Sequence, residues 1–246
     1  MRDLITWRKA EHVPTLNPHE VHVWRASLEP DAQTLVRHRQ LLTAEEQARA
    51  ERFLFIRDRH HFITARALLR TLLGSYLQQD PRNVLLTYGT RGKPALAVQR
   101  PDAPLEFNLS HSAGMALYAF TLHDQTGVDI EFHRDIQDLR QLAATVFSAS
   151  EQAALDALPA TLRREGFYAA WTRKEAFIKA IGEGVAFPLD RFDVSLTPGE
   201  PARLLRIHGD PIAAQRWQMV AFTPAEQFSG ALAVENPLAR VSFWEL

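Results

Sequence analysis

The sequence predicts an α+β protein, and three observations carry that expectation. Apolar and polar residues alternate in several short segments, as half-buried strands require. Two longer stretches repeat apolar residues at helical spacing, and two Ser/Thr-x-x-Glu boxes mark helix starts. Strands and helices do not alternate regularly, so a doubly wound parallel sheet is not expected. The 246 residues suit one large domain or two small ones, at roughly 150 residues per domain.

In chain order, residues 1–20 are polar and carry two prolines, an expected variable lead-in. Val21-His22-Val23-Trp24 alternates as a strand. Thr43-Ala44-Glu45-Glu46 is a capping box, predicting a helix that runs toward Phe53. A second helix is predicted over about 58–78, with Phe62, Ala65, Leu68, Leu69, Leu72 and Leu73 on its apolar side. Gly89 to Pro94 reads as a loop. Strands are predicted at Leu105–Ser110, Met115–Thr121 and Gly127–Phe132. Ser148-Ala149-Ser150-Glu151 is the second capping box, opening a helix to about Leu158. Phe167–Ile181 is the strongest helical stretch, and Gly182-Glu183-Gly184 stops it. Four short strands should follow, at Phe192–Leu196, Leu204–His208, Trp217–Phe222 and Gly230–Glu235. The weakest joint is His123-Asp124-Gln125-Thr126, which predicts lobes over 1–123 and 124–246.

Composition excludes several classes. Hydrophobic residues make up 46% and charged residues 23%, a globular balance. With 0 cysteines there is no disulfide scaffold and no thiolate chemistry. Lys plus Arg is 28 against 29 for Asp plus Glu, so no bulk affinity for nucleic acid is expected. The first residues, MRDLITWRKAEHVP, lack the apolar run of a signal peptide. No apolar stretch approaches the about 20 residues of a membrane span. A cytoplasmic protein, bound neither to nucleic acid nor to membrane, is the expectation.

Several local patterns are chemically suggestive. In Gly127-Val128-Asp129-Ile130-Glu131, residues i and i+2 share a strand face, so Asp129 and Glu131 point one way. Neighbouring acids repel unless a cation sits between them, and oxygen ligands suit Mg²⁺. An edge strand with two solvated acids has the same pattern. On the helix 167–181, Tyr168, Thr172, Glu175 and Lys179 form a polar stripe. Glu175 and Lys179 make an i, i+4 pair, either a plain salt bridge or a third metal carboxylate beside cations. Lys174 falls inside the apolar arc, where its ammonium needs an anion, and it is a candidate phosphate contact with Lys179. Finally, Ser110-His111-Ser112 leaves a strand with hydroxyls, an imidazole and amides that suit a phosphate or an ordinary turn. Arg59, Arg66 and Arg70 share a helix face, with Arg49 and Arg52 nearby; the stripe is either solvated or phosphate-binding. Thr90-Arg91-Gly92-Lys93-Pro94 sets a lysine in a rigid turn. Neither a Walker A nor a Rossmann fingerprint occurs.

The order of these pieces is more specific than any one of them. Gly92-Lys93-Pro94, Phe107-Asn108-Leu109-Ser110-His111-Ser112, Gly127-Val128-Asp129-Ile130-Glu131, Phe147-Ser148-x-x-Glu151 and Trp171-Thr172-Arg173-Lys174-Glu175-Ala176-Phe177-Ile178-Lys179-Ala180 follow one another. This series resembles the 4′-phosphopantetheinyl transferases of the surfactin-synthetase-activating type, over about residues 45–195. The resemblance implies two similar α/β lobes in pseudo-twofold arrangement with coenzyme A between them. It implies transfer of the phosphopantetheine arm of coenzyme A to a serine of an apo acyl or peptidyl carrier protein, releasing adenosine 3′,5′-bisphosphate. It implies Mg²⁺ on Asp129, Glu131 and Glu175, with Glu175 as base and Lys179 on the pyrophosphate. His111 and Ser110 would belong to the 3′-phosphate site, and Lys93 would lie near the adenine. Glu151 matches a family carboxylate, although a capping box already gives it a structural task. A monomer is expected, because the site would lie between halves of one chain.

The chain departs from the family in the early basic segment, which here holds Arg49, Arg52, His60 and His61. Arg66 is favoured for the 3′-phosphate, with Arg49 and Arg52 behind it. Thr172 stands where many members have serine. Two other classes compete: a non-catalytic coenzyme A or carrier-binding module, which would not need the three acids, and a metal-dependent phosphohydrolase.

Overall fold

A computed structural model gives the fold, describing residues 5–89, 92–99, 101, 104–184 and 187–246. Among the described residues two larger sheets each have a long helix against them, and two small hairpins lie beside them. The first sheet has the strand order β1-β12-β2-β6-β5. Its members are β1 (Arg8–Lys9), β2 (Glu20–Ser27), β5 (Leu105–Ser112), β6 (Met115–Leu122) and β12 (Arg240–Glu245). The second has the order β10-β11-β7, from β7 (Thr126–Phe132), β10 (Gln218–Phe222) and β11 (Phe228–Val234). The helices are α1 (Ala32–Leu41), α2 (Ala44–Ala50), α3 (Ile56–Leu77), α4 (Leu139–Val146), α5 (Ala149–Ala157), α6 (Ala160–Ile181) and α7 (Pro211–Ala214).

Strand alternation sorts the core into layers. Trp24, Tyr118 and Phe120 turn toward α3, whose Ala65, Leu69, Leu72 and Leu73 complete the first core. On the same strands Val21, Val23, Leu117 and Ala119 turn the other way. They meet Val128, Ile130, Leu232 and Val234 of the second sheet in a core between the sheets. The outer face of that sheet, through Ala231 and Ala233, packs on Phe167, Ala170, Phe177 and Ile178 of α6.

Both capping boxes form: Thr43 with Glu46 and Ser148 with Glu151 each exchange side-chain and backbone hydrogen bonds. The expected helix at 58–78 is α3. Several expectations need correction. The strongest helix starts at Ala160 rather than Phe167; Gly166 hides the earlier turns from a periodicity argument, yet it is used because a Cβ there would stand 2.5 Å from Leu158 Cδ1. The Gly89–Pro94 loop is the tip of a hairpin between β3 (Leu86–Tyr88) and β4 (Pro94–Leu96), with its proline at the first strand position. Thr90 and Arg91 of that turn lie outside the described residues. The lead-in supplies β1, and the final strand β12 pairs in parallel with β2. Residues 240–245 therefore belong to the first sheet, and the expected second unit over 124–246 is crossed by its own last strand. A further hairpin, β8 (Phe192–Val194) with β9 (Leu204–Ile207), closes the far side of α6.

The contact between β7 and α6 places the acids. Gly127 is the second residue of β7, and a Cβ on it would lie 2.1 Å from the Ala176 carbonyl oxygen and 2.4 Å from the Ala180 nitrogen. Only glycine lets the helix backbone come this near, and the helix answers with two buried alanines. Gly127→Ala is therefore expected to destabilise the fold by about 1–3 kcal/mol, since a packed backbone has no room to give. Denaturant titration measures it; a variant as stable as the wild type would show the contact to be slack.

Candidate active site

Where β5 and β7 lie edge to edge, they are joined by side chains rather than by a backbone ladder. Asn108, Ser110 and Ser112 occupy alternate positions of β5 and so share a face. Asn108 Oδ1 accepts from Val128 N at 3.0 Å, and Ser112 Oγ from Phe132 N at 3.1 Å. Ser110 Oγ donates to Asp129 Oδ1 at 2.8 Å, and Ser112 Oγ to Glu131 Oε2 at 3.0 Å. The first sheet thus grips the acids of the second.

Helix α6 adds the remaining groups. Glu175 and Lys179 are half-buried, one turn apart, between fully buried neighbours. Lys179 Nζ donates to Asp129 Oδ1 at 2.5 Å and to Ser110 Oγ at 2.8 Å. Trp171 Nε1 reaches Glu131 Oε1 at 3.4 Å. Burial pushes the Glu131 and Glu175 carboxyls above their ordinary range, and the charge of Asp129 pushes both further. Ser112 and Trp171 pull Glu131 back, and Lys179 pulls Glu175 back. Lys179 is the cation set among three acids that repel one another, and Ser110, Ser112 and Trp171 add donors to two of them.

Their donor chemistry suits a hard divalent cation, which takes carboxylate oxygens. Two atoms support that fit: Asp129 Oδ2 and Glu175 Oε1 are buried with no hydrogen-bond partner. As the side chains stand, with Lys179 against Asp129, no cluster of three or more His, Asp or Glu among the described residues is closed around a metal position.

A second, positive region lies on the first lobe. Arg66 is 7% exposed, and its Nη1 is buried without a hydrogen-bond partner. Its guanidinium lies 5.6 Å from the Phe62 ring centre and 5.4 Å from that of Tyr88; Arg49 covers Phe62 at 5.4 Å. Arg49 and Arg52 are exposed along a groove of about 950 Å³ that also presents Phe53, Leu85, Leu86 and Tyr88. The acids do not line this groove; Arg66 links the two regions, touching Tyr88 on one side and acting on His111 on the other. His111 is open to solvent but walled in, and burial, then Lys179, His61 and Arg66, lower its pKa. Glu45 and Glu46 also line the groove and Glu29 contacts His61 at 2.6 Å, so what the region offers an anion is the unpartnered Arg66 Nη1 beside Arg49 and Arg52.

Other expected site residues are placed elsewhere. Lys174 is fully buried and cannot reach a phosphate: its ammonium contacts Glu151 Oε2 at 2.6 Å and Oε1 at 2.8 Å, and the Phe192 carbonyl at 2.7 Å. The anion it needed inside the apolar arc is Glu151, which also caps α5 and accepts from Val194 N. Burial pushes both groups toward neutrality, and their contact opposes it. Lys93 is likewise spent, on the Lys179 and Ala180 carbonyls at 2.6 and 3.2 Å. Arg59 pairs with Glu51, and Arg70 is buried against Glu46, so of that helical stripe Arg66 faces the anion region. The hydroxyl of Ser110 is occupied by Asp129 and Lys179. The sequence reading missed Asn108, Ser112 and Trp171 as supports of the acids; the alternate spacing of Asn108, Ser110 and Ser112 was the available signal.

Residues 125–233 match the family model described as the 4′-phosphopantetheinyl transferase superfamily, and residues 26–122 match 4′-phosphopantetheinyl transferase, N-terminal. The 4′-phosphopantetheinyl transferase HetI of Nostoc sp. is 36% identical over 97% of this chain and 98% of its own length. The 4′-phosphopantetheinyl transferase psf-1 of Bacillus pumilus is 31% identical over 80% of this chain and 87% of its own. For the 4′-phosphopantetheinyl transferase Sfp of Bacillus subtilis the identity is 31%, over 63% of this chain and 66% of that protein. With near-complete coverage by one relative and both lobes matched, the chain belongs to the 4′-phosphopantetheinyl transferases.

Proposed function

We propose that the protein transfers the phosphopantetheine arm of coenzyme A to a serine of an apo acyl or peptidyl carrier protein, with Mg²⁺, and releases adenosine 3′,5′-bisphosphate. The observation that carries this reading is the mutually repelling Asp129, Glu131 and Glu175 beside Lys179, near the buried Arg66 whose Nη1 has no hydrogen-bond partner. The serine oxygen attacks the phosphorus bearing the pantetheine arm. The bond from that phosphorus to the bridging oxygen breaks, and the nucleotide leaves with it. Asp129, Glu131 and Glu175 would hold Mg²⁺, which supplies charge neutralisation on the pyrophosphate.

Glu175 is the base. Its Oε1 is buried with no hydrogen-bond partner, which leaves that oxygen uncommitted and able to take the serine proton. Lys179 gives the pyrophosphate a positive contact. Arg66 and His111 take the 3′-phosphate, and the Arg49–Arg52 groove with Tyr88 accommodates the rest of the nucleotide. Lys93 and Lys174 leave the ligand set, because their ammoniums are committed to protein. The Ser110 hydroxyl holds Asp129 instead of a phosphate. Among the described residues no helix is long and apolar enough to cross a membrane.

Incubation with coenzyme A, Mg²⁺ and an apo carrier is expected to add one arm to the carrier by intact mass. A carrier left unmodified while coenzyme A is cleaved would favour a phosphohydrolase, and unaltered coenzyme A a binding module. Glu175→Gln is expected to lower transfer at least about 100-fold while raising the melting temperature by a few degrees at neutral pH. The folded-state pKa of this acid is raised, so its contribution to stability is full below the unfolded value and is lost as pH rises through the folded one. The neutral amide escapes that loss; a lower melting temperature would contradict it. Arg66→Ala is expected to weaken coenzyme A binding at least about tenfold more than 3′-dephospho-coenzyme A binding, measured by calorimetry. Equal losses would remove Arg66 from the 3′-phosphate site.

A further inference from the structure

We propose that Lys93 is a positioning residue for the transfer reaction: its ammonium, carried on the β3–β4 hairpin of the first lobe, clamps the C-terminal turn of α6. Lys179 and Glu175 thereby keep their places. The inference rests on the proposed reaction.

A helix ends with carbonyls that find no partner within the helix. In α6 the Ile178 carbonyl is taken by the amide of Gly182, which turns into the left-handed region at φ 74°. The next two carbonyls, of Lys179 and Ala180, are taken by Lys93 Nζ at 2.6 and 3.2 Å. A cation here also meets the negative end of the helix dipole. The partners are 86 and 87 residues apart in sequence, so this is a tertiary clamp between lobes. The left-handed turn leaves room for the lysine stem: a Cβ on Gly182 would stand 3.9 Å from Lys93 Cδ.

The clamp acts on the residue that matters. The backbone of Lys179 is held by Lys93 while its side chain holds Asp129 and Ser110. Glu175 sits one turn earlier on the same face. Burial works against a charged Lys93, and Glu106 partly offsets this. An apolar side chain would fill the same space without that penalty, so the ammonium itself is what the position uses. Movement of the hairpin next to the nucleotide groove would therefore reach the catalytic turn directly.

The test compares K93M and K93R with the wild type in steady-state transfer and in hydrogen exchange of the free proteins. K93M is expected to lose about tenfold in kcat with KM for coenzyme A within about twofold. The amides of the last turn of α6 should exchange faster, with the amides of α3 unchanged. K93R, whose guanidinium can serve both carbonyls, should recover kcat and exchange protection together. A higher KM with unchanged kcat would make Lys93 a coenzyme ligand and overturn the proposal. So would unchanged exchange in K93M, or no recovery in K93R. If the wild type transfers no arm, the proposed reaction falls, while the exchange experiment still decides whether Lys93 clamps the helix.

Discussion

The contact of the Lys179 ammonium with Asp129 Oδ1, at 2.5 Å, is where the two larger sheets and helix α6 meet. Asp129 is 2% exposed, and a buried carboxylate is costly unless a cation or donors accompany it. The rest of the architecture makes that company available. Gly127 lets α6 approach β7 at backbone distance, and that approach brings Lys179 within reach. Ser110 supplies the third member from the first lobe. Farther along α6, the buried Lys174–Glu151 pair holds the helix against α5 and the β8 hairpin. A helix fixed on both sides can keep Glu175 in an unfavourable place.

Charge is segregated within a chain whose net charge is only −1. The acids enter from β7 and α6, whereas Arg49, Arg52, Arg66, His61 and His111 come from α2 to β5. On the proposed reading, each region is incomplete without the substrate: the positive one lacks an anion, and the acidic one lacks a cation. Net composition could not reveal this. It supports only the expectation of no bulk affinity for polyanions.

The local features were legible because they depend on short-range periodicity. Alternation put Asp129 and Glu131 on one face of β7, and helical spacing aligned Glu175 with Lys179. Two capping boxes marked α2 and α5. Features set by distant pairing were not legible in this way. Lys174 in an apolar arc was visible, and so was Glu151 in its cap, but their contact joins residues 23 positions apart. The Lys93 ammonium sits in a motif that suggested a nucleotide contact, yet its partners are carbonyls, which carry no side-chain signal. The return of β12 to the first sheet leaves no local mark either, since any half-buried strand reads alike.

The β5–β7 junction also sets which oxygens of the site accept hydrogen bonds. A serine hydroxyl has one proton to donate. Ser112 accepts from the Phe132 amide, so its proton goes to Glu131 Oε2. Ser110 accepts from the Lys179 ammonium, so its proton goes to Asp129 Oδ1. Both acids are thus held as acceptors at these oxygens, and for Glu131 the donor opposes the tendency of burial to protonate it. Donors of this kind cannot migrate, because each hydroxyl is fixed by a second bond on its other side. The side chains that join the two lobes therefore also keep negative charge at their seam, where a lysine alone would only partly balance it. Replacing them with a backbone ladder would join the strands equally well, but it would leave the carboxylates without these donors.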